Sequence, residues 1–224
     1  MNKTFFTHLR CSNCKKTFAP DQVQSICDAC GKALLAEYYL TSARQHVSRE
    51  LVGRGEGSLW RYRELLPVID EAHIVTLGEG WTPLLNAASL AKSVGVDNLF
   101  IKEEGYNPTG SFKARGLSVA VSKARELGIS EAALPSAGNA GGAFAAYAAK
   151  AGMKAHVFVP NETPAVNIKE ISLFGGLVFL VDGVISDAGK KMKELGEGKN
   201  WFDLSTMKEP YRLEGKKTMG YELA

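Results

Sequence analysis

Asn107-Pro108-Thr109-Gly110-Ser111-Phe112-Lys113-Ala114-Arg115-Gly116 is a turn-forming run that delivers a lysine into the first turn of a helix expected over 111–127. Pro, Gly, Asn and Ser are the residues that bend a chain. A lysine just after them is unusual, because the start of a helix carries partial positive charge and disfavours an ammonium group. The same surroundings help an amine that must lose its proton before it attacks a carbonyl. On position alone Lys113 reads as a solvated surface lysine, so its meaning depends on the sequence around it.

Outward from this run, short apolar stretches alternate with longer amphipathic ones, the pattern of strands feeding helices over a mostly parallel sheet. Strands are expected at 99–102, 132–135, 155–159, 177–181 and 201–203, and helices at 111–127, 140–150, 164–174 and 185–195. Gly128, Gly152 and Gly175 follow three of these helices, where a left-handed residue costs glycine nothing. The fold class is α/β. Upstream, 41–58 contains Gly53, Gly55 and Gly57 with little apolar periodicity and reads as a flexible connector. Its G-R-G-E-G lacks the preceding strand and following helix of a phosphate loop.

All four cysteines fall in the first thirty residues, as Cys11-x-x-Cys14 and Cys27-x-x-Cys30. Two such pairs across a short loop place four thiolates where a tetrahedral metal can take them, so a structural Zn²⁺ is expected in a ribbon-like segment 1–40. Redox pairs or free thiols are the alternative reading.

Composition, at 45% apolar and 23% charged, is that of an ordinary globular chain. The net charge of +3 is not gathered into a Lys/Arg block, so neither nucleic acid nor membrane gains support as a partner. No apolar run approaches the ~20 residues of a bilayer span, and the first ten residues lack a signal-peptide core. A cytoplasmic location is expected.

The run around Lys113 resembles the cofactor-lysine motif of fold-type II pyridoxal-phosphate (PLP) enzymes, in the N-P-T-G-S-F-K-x-R-G form of threonine synthases. Gly78-Glu79-Gly80-Trp81-Thr82-Pro83-Leu84 upstream, Pro135-Ser136-Ala137-Gly138-Asn139-Ala140-Gly141-Gly142 downstream and the segment from Glu214 to Ala224 follow in the order of that family. The resemblance implies a fold-type II, tryptophan synthase β-like architecture of three-layer sheet domains: a large PLP domain beginning at 41–127, a small α/β domain at 128–213 and a return to the large domain at 214–224. It implies a Schiff-base lysine at Lys113 that also moves protons, and Asn139 at the cofactor's ring oxygen. It implies that Thr82, Ser136, Gly138, Asn139 and Ala140 bind a small amino-acid substrate. Ser136 to Gly142 also reads physically as a strand end opening into a helix, its amides free to face an anion. A helix N-cap is the alternative reading of Asn139. Arg115, two residues past the lysine, points to another helix face and suits a carboxylate partner.

The implied reaction is conversion of O-phospho-L-homoserine and water to L-threonine and phosphate. Cysteate synthase or threonine/serine dehydratase chemistry is an alternative, as is a non-catalytic zinc-ribbon module. A homodimer is possible. The family's glycine-rich phosphate loop and the Ser or Thr at its pyridine nitrogen have no counterpart in these residues. The chain stops at Ala224 without a helix stop signal, so a truncated and inactive fragment with exposed apolar faces is expected.

Overall fold

The computed structural model describes residues 4–224; the first three residues of the segment 1–40 lie outside the described residues. The cysteine segment forms β1 (Phe6–Cys11), β2 (Thr17–Phe18) and β3 (Leu34–Tyr38), antiparallel in the order β2-β1-β3. Each C-x-x-C pair closes a tight turn: the Cys11 N–H donates to the Lys16 carbonyl and the Cys27 N–H to that of Lys32, both at 2.8 Å. Gly31 takes φ +68°, the left-handed value a knuckle of this kind requires. Phe6, Leu9, Cys11, Cys27 and Leu34 share one buried cluster with Leu59, Trp60, Leu66 and Leu117, so the ribbon is built into the main core.

The stretch 41–58 is not the flexible connector its composition suggests. It carries most of α1 (Leu40–His46) and all of α2 (Arg49–Gly53). Ser48 caps α2 by accepting from the Leu51 N–H at 3.1 Å. These helices bury only Ala43, which is why no apolar period betrays them. The glycine turn after α2 is held by Arg61, whose guanidinium donates to the carbonyls of Val52, Gly53 and Gly55. After two 3₁₀ turns, Leu59–Leu65 and Glu71–His73, come β4 (Leu84–Asn86), α3 (Ala88–Val94) and β5 (Phe100–Lys102). The strand expected at 99–102 therefore exists, but it pairs antiparallel with β4 in a separate two-stranded sheet. That ribbon leaves Leu84, Leu85, Phe100 and Ile101 exposed.

The expected α/β alternation follows: α4 (Lys113–Glu126), β6 (Glu131–Pro135), α5 (Asn139–Ala151), β7 (Lys154–Pro160), α6 (Ala165–Leu173), β8 (Leu177–Val181), α7 (Ile185–Gly196), β9 (Phe202–Asp203) and α8 (Tyr211–Leu223). Strands pair in the order β8-β7-β6-β9, all parallel. Alternation along β6 explains the layers. Ala132 and Leu134 join the cluster that includes residues of α4 and α5, whereas Ala133 joins Phe158, Ala188 and Met192 beneath α7. Both faces are covered, as a parallel sheet demands. Helix α8 leaves this unit and lies across α4.

Candidate active site

Lys113 is the first residue of α4, and its approach is fixed by hydrogen bonds. The Gly110 N–H donates to the Asn107 carbonyl at 2.8 Å while Gly110 takes φ +65°, so the turn needs glycine there. The Asn107 amide accepts from the Gly80 N–H at 3.0 Å and donates to the Glu104 carboxylate at 2.9 Å, joining the lysine loop to the G-E-G-W-T-P loop. The Lys113 amine is half-buried and lies 3.8 Å from the Phe112 ring centroid. Burial first, and then the charge of Arg212, hold its pKa below the ordinary lysine value.

That charge comes from α8. Arg212 and Lys216 lie one turn apart, and Lys216 is likewise held low by burial, by Arg212 and by Lys113. Arg212 donates to the Leu204 carbonyl at 2.7 Å, but its buried Nε has no hydrogen-bond partner among the described residues. Glu209, also buried, accepts from the N–H groups of Tyr211 and Arg212 that open α8, and burial raises its pKa to about 7. Helices α4 and α8 meet backbone to backbone: a Cβ on Gly215 would fall 2.0 Å from the Arg115 carbonyl oxygen, and one on Gly116 would fall 2.9 Å from that of Arg212. The sequence reading passed over this cationic group. The helical spacing of Arg212 and Lys216 in Y-R-L-E-G-K-K is visible in the sequence, but Glu209 three and seven positions before them makes the run read as an ordinary charged helix face.

Arg115 does pair with carboxylates. It is fully buried and bonds Glu104 Oε1 at 2.8 Å, Glu222 Oε1 at 2.5 Å and the Thr218 hydroxyl at 3.0 Å. Thr82 belongs to this network, its hydroxyl donating to Glu104 at 2.7 Å and accepting from Arg115 at 3.2 Å, so here it anchors its loop. Trp81 is half exposed, with its ring stacked 3.4 Å from the Arg61 guanidinium carbon. Glu79 is fully buried. Its carboxylate accepts from Trp60 Nε1 at 3.0 Å, Ser118 at 2.5 Å and Tyr147 at 2.6 Å, which binds the loop to both α4 and α5.

The loop after β6 is organised by Ser136. Its buried hydroxyl donates to the Gly138 carbonyl at 2.8 Å and accepts from the Gly141 N–H at 2.9 Å. Gly138 occupies the N-cap position, so Asn139 is the first helical residue and not the cap. Asn139 is exposed and Ala140 partly so. First-turn amides such as theirs have no acceptor within their own helix, and around the Gly138 Cβ position only Asn167 Nδ2 comes near, at 3.9 Å. This opening sits on α5, the helix packed against α4.

The four cysteine sulfurs converge. Cys11 and Cys30 Sγ are 3.4 Å apart, Cys14 and Cys27 Sγ are 3.5 Å apart, and all four lie within 4.8 Å of one another. Tetrahedral zinc with Zn–S near 2.3 Å separates its sulfurs by ~3.8 Å, so the donor set fits that ion.

A lysine opening one helix, a glycine-bearing amide loop opening the helix packed against it, and a doubly covered parallel sheet together define a class. Residues 75–224 match the family of pyridoxal-phosphate dependent enzymes, and the chain belongs to it. Its fold is that of the fold-type II members. Maize serine racemase superposes with a TM-score of 0.58 at 27% identity, over 63% of this chain and 43% of that one. The processed threonine deaminase isoform 2 of Solanum lycopersicum gives 0.57 at 28%, over 63% and 39%. In sequence the chain is similar to threonine synthases: 39% identical to that of Methanocaldococcus jannaschii over 96% of this chain, and 38% to that of Methanosarcina acetivorans over 97%. It spans about half the length of these relatives, 53% of each. Among the described residues no helix is long and apolar enough to cross a membrane.

Proposed function

We propose that the protein is a threonine synthase-type lyase, converting O-phospho-L-homoserine and water to L-threonine and phosphate, with PLP carried on Lys113. The observation that carries this reading is the Lys113 amine at the start of α4, half-buried, its pKa held below the ordinary lysine value by burial and then by the charge of Arg212. The similarity to threonine synthases supplies the substrate. A lowered amine and a buried, unpartnered Arg212 Nε suit an anionic group that bears a carbonyl. PLP, when bound, supplies the electron sink for carbanion chemistry.

The chain's own residues have distinct tasks. Lys113, as a free amine, would take and return protons at the substrate's α-carbon and its neighbours. Ser136 holds the β6–α5 loop so that the amides near Gly138, Asn139 and Ala140 receive the substrate carboxylate. Asn139, exposed at the first turn, is free to meet the cofactor's ring oxygen. Thr82 contributes through the loop it anchors to Arg115. The segments 1–40, 41–127, 128–213 and 214–224 serve as ribbon, first part of the large domain, small domain and return. Cys11, Cys14, Cys27 and Cys30 hold one structural zinc, since four thiolates leave no open coordination position. A cytoplasmic homodimer completes the reading; thiols kept for a metal suit a reducing compartment.

The test uses the complete gene product. Borohydride reduction in the presence of PLP followed by peptide mapping is expected to mark Lys113, and Lys113→Ala to abolish phosphate release from phosphohomoserine. A mark on Lys102 or Lys123 sinks the assignment. Release from phosphoserine instead of phosphohomoserine sinks the substrate.

A further inference from the structure

Besides the core it shares with α4, the ribbon reaches α8 through Tyr38. Tyr38 ends β3, and its hydroxyl donates to Glu214 Oε2 of α8 at 2.5 Å. Glu214 also pairs with Lys217, whose ammonium lies 3.9 Å from the centroid of the Tyr38 ring, so the ring and its hydroxyl clasp α8 together. Tyr38 pairs with Phe6 across β1 and β3, while Cys11 pairs with Leu34 at the other end of the same ladder. The strand pair thus has a metal knuckle at one end and Tyr38 at the other.

On α8, Glu214 lies between Arg212 and Lys216, and the next residue is Gly215, set directly on the Arg115 carbonyl. A helix seated by its backbone cannot tilt locally without moving both neighbouring cations. The geometry points to Tyr38 as a positioning residue: through it the cysteine ribbon seats α8 on α4 and holds Arg212 and Lys216 at the amine of Lys113. The importance of that amine rests on the function proposed above; the coupling rests on the Tyr38–Glu214 bond to α8 and on the Phe112 ring shared by Lys113 and Lys216, whose amines lie 3.8 and 5.8 Å from its centroid. The charged groups concerned are Arg212 facing Lys113, Lys216 facing Arg212 and Lys113, Glu209 facing both α8 cations, and Asp203 facing Arg212.

The experiment measures the proton affinity of Lys113 in the PLP-free, full-length protein, by pH-dependent acylation with acetic anhydride and peptide mapping. In Tyr38→Phe, with metal content unchanged, the acylation midpoint of Lys113 is expected to rise by about half a pH unit or more as the cations recede. Chelation of the metal from the parent protein is expected to give a similar rise, and no further rise in Tyr38→Phe. Glu214→Gln, which keeps the shape and loses the charge that holds Lys217, provides a second reading should Tyr38→Phe not fold; a rise supports the coupling and an unchanged midpoint overturns it. An unchanged midpoint in metal-loaded Tyr38→Phe overturns the proposal, as does an equal chelation response in parent and variant. Failure of borohydride to mark Lys113 with PLP would refute the function and leave this comparison intact.

Discussion

At the scale of single residues, the start of α8 concentrates charge where water is scarce. Glu209 is 4% exposed, and its carboxyl keeps a proton up to about pH 7, whereas in the unfolded chain a glutamate loses it near 4.5. Between those values the unfolded state binds fewer protons than the native one, so this group lowers stability as pH rises through the interval. The integrated effect is on the order of 3 kcal/mol. Glu209→Gln, which can still accept from the α8 amides, is expected to flatten the fall in Tm between pH 4.5 and 7; a slope equal to the parent's would show that Glu209 does not titrate there. Lys113 was legible because a turn sequence and a helix start are local. Glu209, Arg212 and Lys216 gain meaning only from α4 lying beside them, a contact no local pattern announces.

At the scale of elements, the same distinction separates what could be read from what could not. Strands β6, β7 and β8 fall within a residue or so of expectation because each is a largely apolar run bounded by glycine-closed helices, even though β8 at the sheet edge stays partly exposed. α1, α2, β4 and α3 are short and bury little, so they leave no period to read. β5 was visible as a strand, but its partner was not, since pairing is a property of two segments. The α4–α8 crossing provides a paired test. Gly215→Ala places a Cβ 2.0 Å from a backbone oxygen, whereas Gly220→Ala, in the same helix, meets nothing within 4 Å. Denaturant unfolding is expected to show Gly215→Ala destabilised by about 1–3 kcal/mol through overpacking. Gly220→Ala should be stabilised by up to ~1 kcal/mol from helix propensity. Equal effects would mean that the helices have room to part.

At the scale of the whole molecule, the ribbon and the enzyme-like part share one core. Cys11 and Cys27 are each 1% exposed within it. Metal analysis is expected to find about one zinc per chain, and Cys27→Ser to lose it together with several degrees of Tm, because structural zinc contributes its binding energy to folding. Less than about half an equivalent in protein purified without chelator would favour free thiols. The spacing of the cysteines was enough to foresee the cluster; its burial against Leu59 and Leu117 was not, since those residues lie far along the chain.

The contact between α4 and α8 also sets an order of events. Arg115 and Thr218 bond to one another although they are 103 positions apart. The whole parallel sheet is therefore an excursion that leaves from α4 and returns to it. On a ribosome the lysine emerges well before the helix that tunes it, and a closure this distant comes late in folding. Until α8 docks, Arg212 is not beside Lys113, so the share of its lowered pKa that Arg212 supplies arrives only with that contact.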